Sequence, residues 1–105
     1  MLERTMIVIT SEFGRTSKVK GNGGRDHHPN GFSCALAGGG IKGGQAIGAT
    51  NEKGREPDPK FEPKDLHATI ATAMGMDVEK RFHPKGGGRP SFVGGRGKPI
   101  MDLLA

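Results

Sequence analysis

Nineteen of the 105 residues are glycine and seven more are proline, and this limits what the chain can fold into more than any motif in it. A quarter of the backbone is therefore glycine or proline, against about 12% in an ordinary domain. Glycine loses more conformational freedom on folding than any other residue, so much apolar burial is needed to offset it. The chain has little to offer: 32% hydrophobic residues, no Trp, no Tyr, five Phe. A folded chain of this size shows roughly 5,600 Å² of surface, about a third of its unfolded value. The sequence predicts a single unit over residues 1–105 that is marginal by itself. With one cysteine, Cys34, no internal disulfide can support it.

Several classes are excluded. No run approaches 18 apolar residues, so no membrane-spanning segment is expected. The opening MLERTMIVITSEFGR lacks a long apolar region and a cleavage site of the secretory kind. The charge of +5 is spread along the chain and lacks interleaved Tyr or Trp stacking residues, which argues against nucleic acid as a partner.

The organisation reads as follows. Thr5–Thr10 is a continuous apolar run of the kind found in a buried parallel strand. Residues 15–31 read as a long irregular loop, and loops of that length are usually functional or disordered. Phe32–Ala37 is a second strand, and Ile41–Gly48 a turn with a short strand. Residues 49–62 read as a surface connection. Lys64–Met74 is the one good helix, entered at Pro63, with Leu66, Ile70, Ala73 and Met74 on one apolar face and Gly75 as its stop. After the Gly/Pro-rich residues 80–99, Ile100–Leu104 reads as a final strand or docked turn. Two or three strands and one helix do not complete a layered domain. The chain reads as a piece of an α/β domain whose remainder is missing or supplied by a partner; the alternative is a weakly folded product of a short reading frame.

Chemistry concentrates near the first strand. Glu12 lies just past its C-terminal end, where open α/β sheets bind ligands. Asp26, His27 and His28 follow in the long loop. A carboxylate beside an imidazole suits Zn²⁺, Mn²⁺ or Fe²⁺, although ordinary loop contacts explain the same residues. Arg15, Lys18, Lys20, Arg25 and Lys42 are candidates for stabilising an anion. Gly21–Gly24 and Gly38–Gly44 suit either anion-binding nests or tight turns. Neither is a Walker loop or a dinucleotide fingerprint. Cys34 reads as a small core residue, His67 as a boundary histidine, and His83 as a loop residue that would add a ligand at most.

The strings SEFGR, GRDHHP and AGGGIKGG in this order resemble the C-terminal part of the bacterial domain of unknown function 1501 proteins. These are labelled sulfatase-like and placed in the alkaline phosphatase superfamily. The resemblance runs from Leu2 to Leu104. It implies a doubly wound α/β sheet with long Gly-rich loops, of which this chain would be a C-terminal fragment truncated at its N-terminus. It implies a divalent metal (Zn, Mn, Ca or Mg) held by loops at strand ends, with Glu12 at the place of a ligand aspartate and His27 at that of a later histidine. Phe13 stands where a paired histidine is typical, so the site holds one metal or Asp26 fills the gap. Arg15 and Arg25 would face the anion.

The function so implied is part of a metal-dependent phosphatase- or sulfatase-type ester hydrolase. Its substrate would be an anionic ester or a sulfated or phosphorylated polymer. Longer relatives carry the nucleophile upstream and look exported, so the fragment itself is expected to be inactive. A non-catalytic binding or structural module of the same fold is the alternative. A small basic phosphate- or nucleic-acid-binding protein ranks third.

Overall fold

The structure is a computed structural model that describes residues 1–105, Gly94 through its backbone alone. Eight short strands and one helix follow in chain order: β1 Met6–Ile9, β2 Gly14–Arg15, β3 His27–His28, β4 Ala35–Gly38, β5 Ala49–Thr50, β6 Pro57–Asp58, α1 Pro63–Ala73, β7 Arg81–Phe82 and β8 Ser91–Phe92. Helix and strand are therefore mixed, as expected. The strands form four separate two-stranded ribbons, β1–β4, β2–β3, β5–β6 and β7–β8, all antiparallel.

The first strand departs from its expected setting. It is neither parallel nor buried on both sides: Met6 pairs with Gly38, Ile7 with Ala37, Val8 with Leu36 and Ile9 with Ala35. Met6 and Val8 are half-buried, while Ile7 and Ile9 are 44% and 67% exposed. An apolar run marks a strand but not the direction of its neighbour. With one partner and nothing stacked on its second face, half the run stays in water.

Other boundaries shift for local reasons. The second strand starts three residues later than expected, at Ala35. Cys34 just before it is exposed rather than in a core. Ile41–Gly48 forms no strand: Ile41 bridges to Leu104 instead, and Lys42 N–H donates to Leu103 O at 2.8 Å. The tail is thus docked by a turn over Met101–Leu103. The connection at residues 49–62 contains the β5–β6 ribbon, and residues 80–99 contain β7–β8.

The helix begins one residue before the expected start and ends one before the expected end. Asp65 accepts a hydrogen bond from the Glu62 N–H at 2.8 Å, which satisfies a donor at the helix entry. Its buried side is not the Leu66–Met74 stripe. Ala68, Thr69 and Ala71 are buried, while Met74 is 64% exposed. Small residues face inward because the Val93–Ile100 segment lies close against the helix. A Cβ on Gly97 would stand 1.9 Å from the Lys64 carbonyl oxygen, so only glycine fits there. Lys98 N–H donates to the Asp65 carboxylate at 2.9 Å, and Ile100 N–H to Thr69 Oγ1 at 2.8 Å.

Ala68 and Ala71 are the buried apolar residues among those described. The chain exposes 8127 Å², against roughly 5,600 Å² for a compact protein of this size. Its radius of gyration is 16.6 Å, where a compact chain of this length gives about 13 Å. No helix is long and apolar enough to cross a membrane.

Candidate functional site

The expected irregular loop at residues 15–31 is a hairpin. Gly14 pairs with His28 and Arg15 with His27. The ladder continues as Thr16 N–H donates to Asp26 O at 3.0 Å, and it closes through a Lys20–Gly24 turn. Gly23 takes φ +84° in that turn, a conformation glycine reaches without strain. The Arg25 guanidinium Nη1 donates to the Thr16 and Ser17 carbonyls, both at 2.9 Å, and Arg15 Nη1 donates to Arg25 O at 3.2 Å. Both arginines brace the hairpin across its width, so their anion-facing capacity is limited to the remaining donors.

Alternation along the paired strands sorts the side chains onto two faces. Phe13, Arg15 and His27 share one. There the Phe13 and His27 rings stack with centroids 3.9 Å apart and 25° between planes, and the Arg15 guanidinium carbon lies 5.3 Å from the Phe13 centroid. Gly14, Thr16, Asp26 and His28 share the other. Gly31 closes over this face, since a Cβ on Gly14 would meet the Gly31 carbonyl oxygen at 2.0 Å. Gly31 in turn lies near Thr50 and Gly54.

The two adjacent histidines therefore have opposite surroundings. His27 is exposed, whereas His28 is 8% exposed and its Nε2 has no hydrogen-bond partner. Buried polar atoms are nearly always paired, and leaving one unpaired costs about 1–3 kcal/mol. This orphaned ring nitrogen is an observation that suits an imidazole donor to a divalent ion.

Beside Thr16 and Asp26 opens a cleft of about 470 Å³, lined by Thr16, Ser17, Lys18, Lys20, Asp26 and Arg55 among others. Asp26 forms an ion pair with Lys20 at 2.5 Å; both are exposed, so the pair contributes little to stability. Arg55 comes from a distant turn, held where Asn51 Oδ1 accepts from the Arg55 N–H at 2.9 Å.

The other expected site residues scatter. Glu12 is exposed and makes no hydrogen bond or ion pair among the described residues. Glu12 lies in a bend before β2, whereas Asp26 pairs with Thr16 beyond the other end of that strand. Among the described residues no group of three His, Cys, Asp or Glu side chains converges as a metal would need. His67 and His83 are exposed. Partial burial holds the Cys34 thiol above its ordinary pKa, which keeps it protonated and a poor nucleophile. The Gly38–Gly44 run serves close approach: Gly40 has φ +78°, and a Cβ there would meet Ala73 at 2.8–2.9 Å.

Sequence reasoning missed the hairpin, and with it the separation of His27 from His28 and the arrival of Arg55. Asn22-Gly23 between two polar arms was the available signal, since that dipeptide favours tight hairpin turns. Arg55 had no such signal, because its placement depends on the fold.

A family model described as "Protein of unknown function (DUF1501)" matches residues 1–104. No curated protein and no solved structure matches the chain.

Proposed function

The chain belongs to the DUF1501 family of proteins of unknown function, and we propose that it forms part of a metal-dependent site for phosphate or sulfate esters. The observation that carries this reading is the juxtaposition on one hairpin of a carboxylate and a buried, unpaired imidazole with a cationic cleft. In this proposal Asp26 and one histidine of the His27–His28 pair supply donors on the hairpin, and Glu12 joins them in the completed site. Lys18, Lys20 and Arg55 meet the anion, with Arg15 and Arg25 holding the hairpin in shape and offering their remaining donors. A divalent ion bound there would polarise the ester oxygens.

The doubly wound sheet of the alkaline phosphatase superfamily is part of the proposal. It is supported by β1, an apolar Met-Ile-Val-Ile strand with a single partner and two isoleucines in water. Such a strand suits a sheet extended by further strands and covered on both faces. The surface excess of the chain points the same way: the site would be completed by polypeptide that covers these faces.

A binding role for the chain by itself has its own support. Ser11 Oγ donates to Phe13 O at 2.8 Å and Thr16 Oγ1 to Lys18 O at 3.1 Å. Neither hydroxyl is poised beside a base, and an unpositioned nucleophile forfeits the roughly 7–11 kcal/mol available from orientation. The chain is therefore expected to bind anions without turning esters over.

The test is dialysis of the full chain against Zn²⁺ or Mn²⁺ with elemental analysis, followed by calorimetric titration with inorganic phosphate and sulfate. Anion binding that requires the metal and is lost in K20A/R55A supports the reading. Absence of metal uptake, or anion binding indifferent to metal, refutes it.

A further inference from the structure

We infer that residues 80–98, the β7–β8 ribbon with the turn that follows it, are a docking strip for a linear sulfated polysaccharide. The inference uses none of the hairpin's residues and does not rest on the metal reading above. Charge carries it first. Residues 1–79 hold ten basic and ten acidic side chains, which cancel. Residues 80–98 hold six basic ones, Lys80, Arg81, Lys85, Arg89, Arg96 and Lys98, and no acidic one. The net charge of +5, diffuse on the scale of the whole sequence, therefore comes from this segment, with Asp102 the one acid after it. All six cations are exposed, and none forms an ion pair among the described residues. Their mutual repulsion is relieved by a ligand that carries several anions in a row.

The ribbon fixes where these charges stand. Arg81 is opposite Phe92 in the register and Phe82 opposite Ser91, so Arg81 and Phe92 share one face and Phe82 takes the other. At Phe92 the Arg81 and Arg96 guanidinium carbons lie 5.6 and 4.8 Å from the ring centroid; at Phe82, Lys80 Nζ lies 5.7 Å from the centroid. Arg96 is the one non-glycine residue with positive φ, 67°, among those described. Glycine stands on both sides of it, yet the strained position is taken by a cation, held over the Phe92 ring. The turn is anchored on the helix, where Lys98 N–H donates to the Asp65 carboxylate.

These placements select among polyanions. Cations on both faces of a two-stranded ribbon suit a thin, flexible chain that wraps it, whereas a planar membrane or a stiff duplex meets one face at a time. Both Phe rings already carry cations, so a single-stranded nucleic acid lacks a free ring for stacking and an acidic protein lacks an apolar anchor. Sulfate groups stay ionised at every physiological pH and accept forked hydrogen bonds from the three guanidiniums.

The experiment titrates the full 105-residue chain, without added metal, with a heparin decasaccharide, a single-stranded thymidine oligomer of equal charge, and phosphatidylserine vesicles. Heparin should bind most tightly, with affinity that falls as salt rises and drops at least about tenfold in K85Q/R89Q. Both residues lie in the exposed turn between β7 and β8, and the helical circular dichroism of the variant checks that the fold is kept. Amide shifts in the wild-type chain, which need no substitution, should centre on residues 80–98. No heparin binding, shifts centred on the hairpin, unchanged affinity in the folded variant, or tighter binding of the oligomer or the vesicles overturns the inference. Each of these leaves the metal uptake tested above to stand or fall by itself.

Discussion

Two polar side chains are buried among the described residues, and they stand in opposite states. Thr69 in the helix has no exposed surface; its hydroxyl donates to Asp65 O at 2.7 Å and accepts from the Ile100 N–H at 2.8 Å. His28 in the hairpin is almost as deep, with Nε2 unanswered. Around Thr69 the hydrogen-bonding groups pair off, and the segment 97–100 is tied to the helix at Asp65 and Thr69. Around His28 the packing is closed but the polar accounting is left open. The helix and its strap are tied by paired polar groups, whereas the hairpin carries a buried ring nitrogen without a partner, at a cost in stability.

The largest expected effect is on the helix side. Thr69→Val keeps shape but removes both hydrogen bonds and orphans the Ile100 N–H. A loss of about 1–3 kcal/mol is expected, read as a lower denaturation midpoint of the helical circular dichroism signal. An unchanged midpoint would mean that the helix and its strap are not one unit.

A smaller effect comes from pH. The N–H groups of Glu62 and then Lys98 hold the Asp65 carboxyl below its ordinary pKa. A carboxylate with a depressed folded-state pKa contributes stability that is fully present above its unfolded value. That stability is lost as pH falls through the lower folded value. Helix stability should therefore decline below about pH 4, and Asp65→Asn should flatten the part of the decline that belongs to this residue. The same slope in wild type and variant would remove Asp65 from the account.

The smallest effect is expected at His28, and its sign is what matters. Without metal, His28→Leu replaces an unsatisfied imidazole by an apolar side chain of similar size. Stability should stay level or rise by about 1 kcal/mol. A loss as large as that of Thr69→Val would show that His28 is satisfied after all and would erase the contrast.

The legibility of these regions in the sequence differs for physical reasons. The helix was readable because its signals are local: Pro63 at the entry, Asp65 in the first turn and Gly75 past the end fix it to within a residue. Its buried face was not readable, because burial of Ala68 and Ala71 instead of the Leu66–Met74 stripe depends on Gly97 approaching from 30 residues away. The strand at Met6–Ile9 was readable from its apolar run, but its antiparallel partner was not, since direction is set by the chain that returns. The chemistry-bearing residues Asp26, His27 and His28 were legible by type. Which of them share a face was not, because that depends on the hairpin pairing. Arg55 reaches the cleft only through the Asn51–Glu56 turn, which no spacing rule connects to Lys18 and Lys20.

Amide hydrogen exchange of the full chain, with and without saturating Zn²⁺, tests the central contrast most directly. Binding to the hairpin donors should slow exchange at the ribbon amides, with Thr16 N–H, bonded to Asp26 O, as the reporter. The strap amides of Lys98 and Ile100 should be unchanged, because their partners are already satisfied. Zinc protection confined to the strap, protection spread evenly over the chain, or no protection at Thr16 would contradict the account.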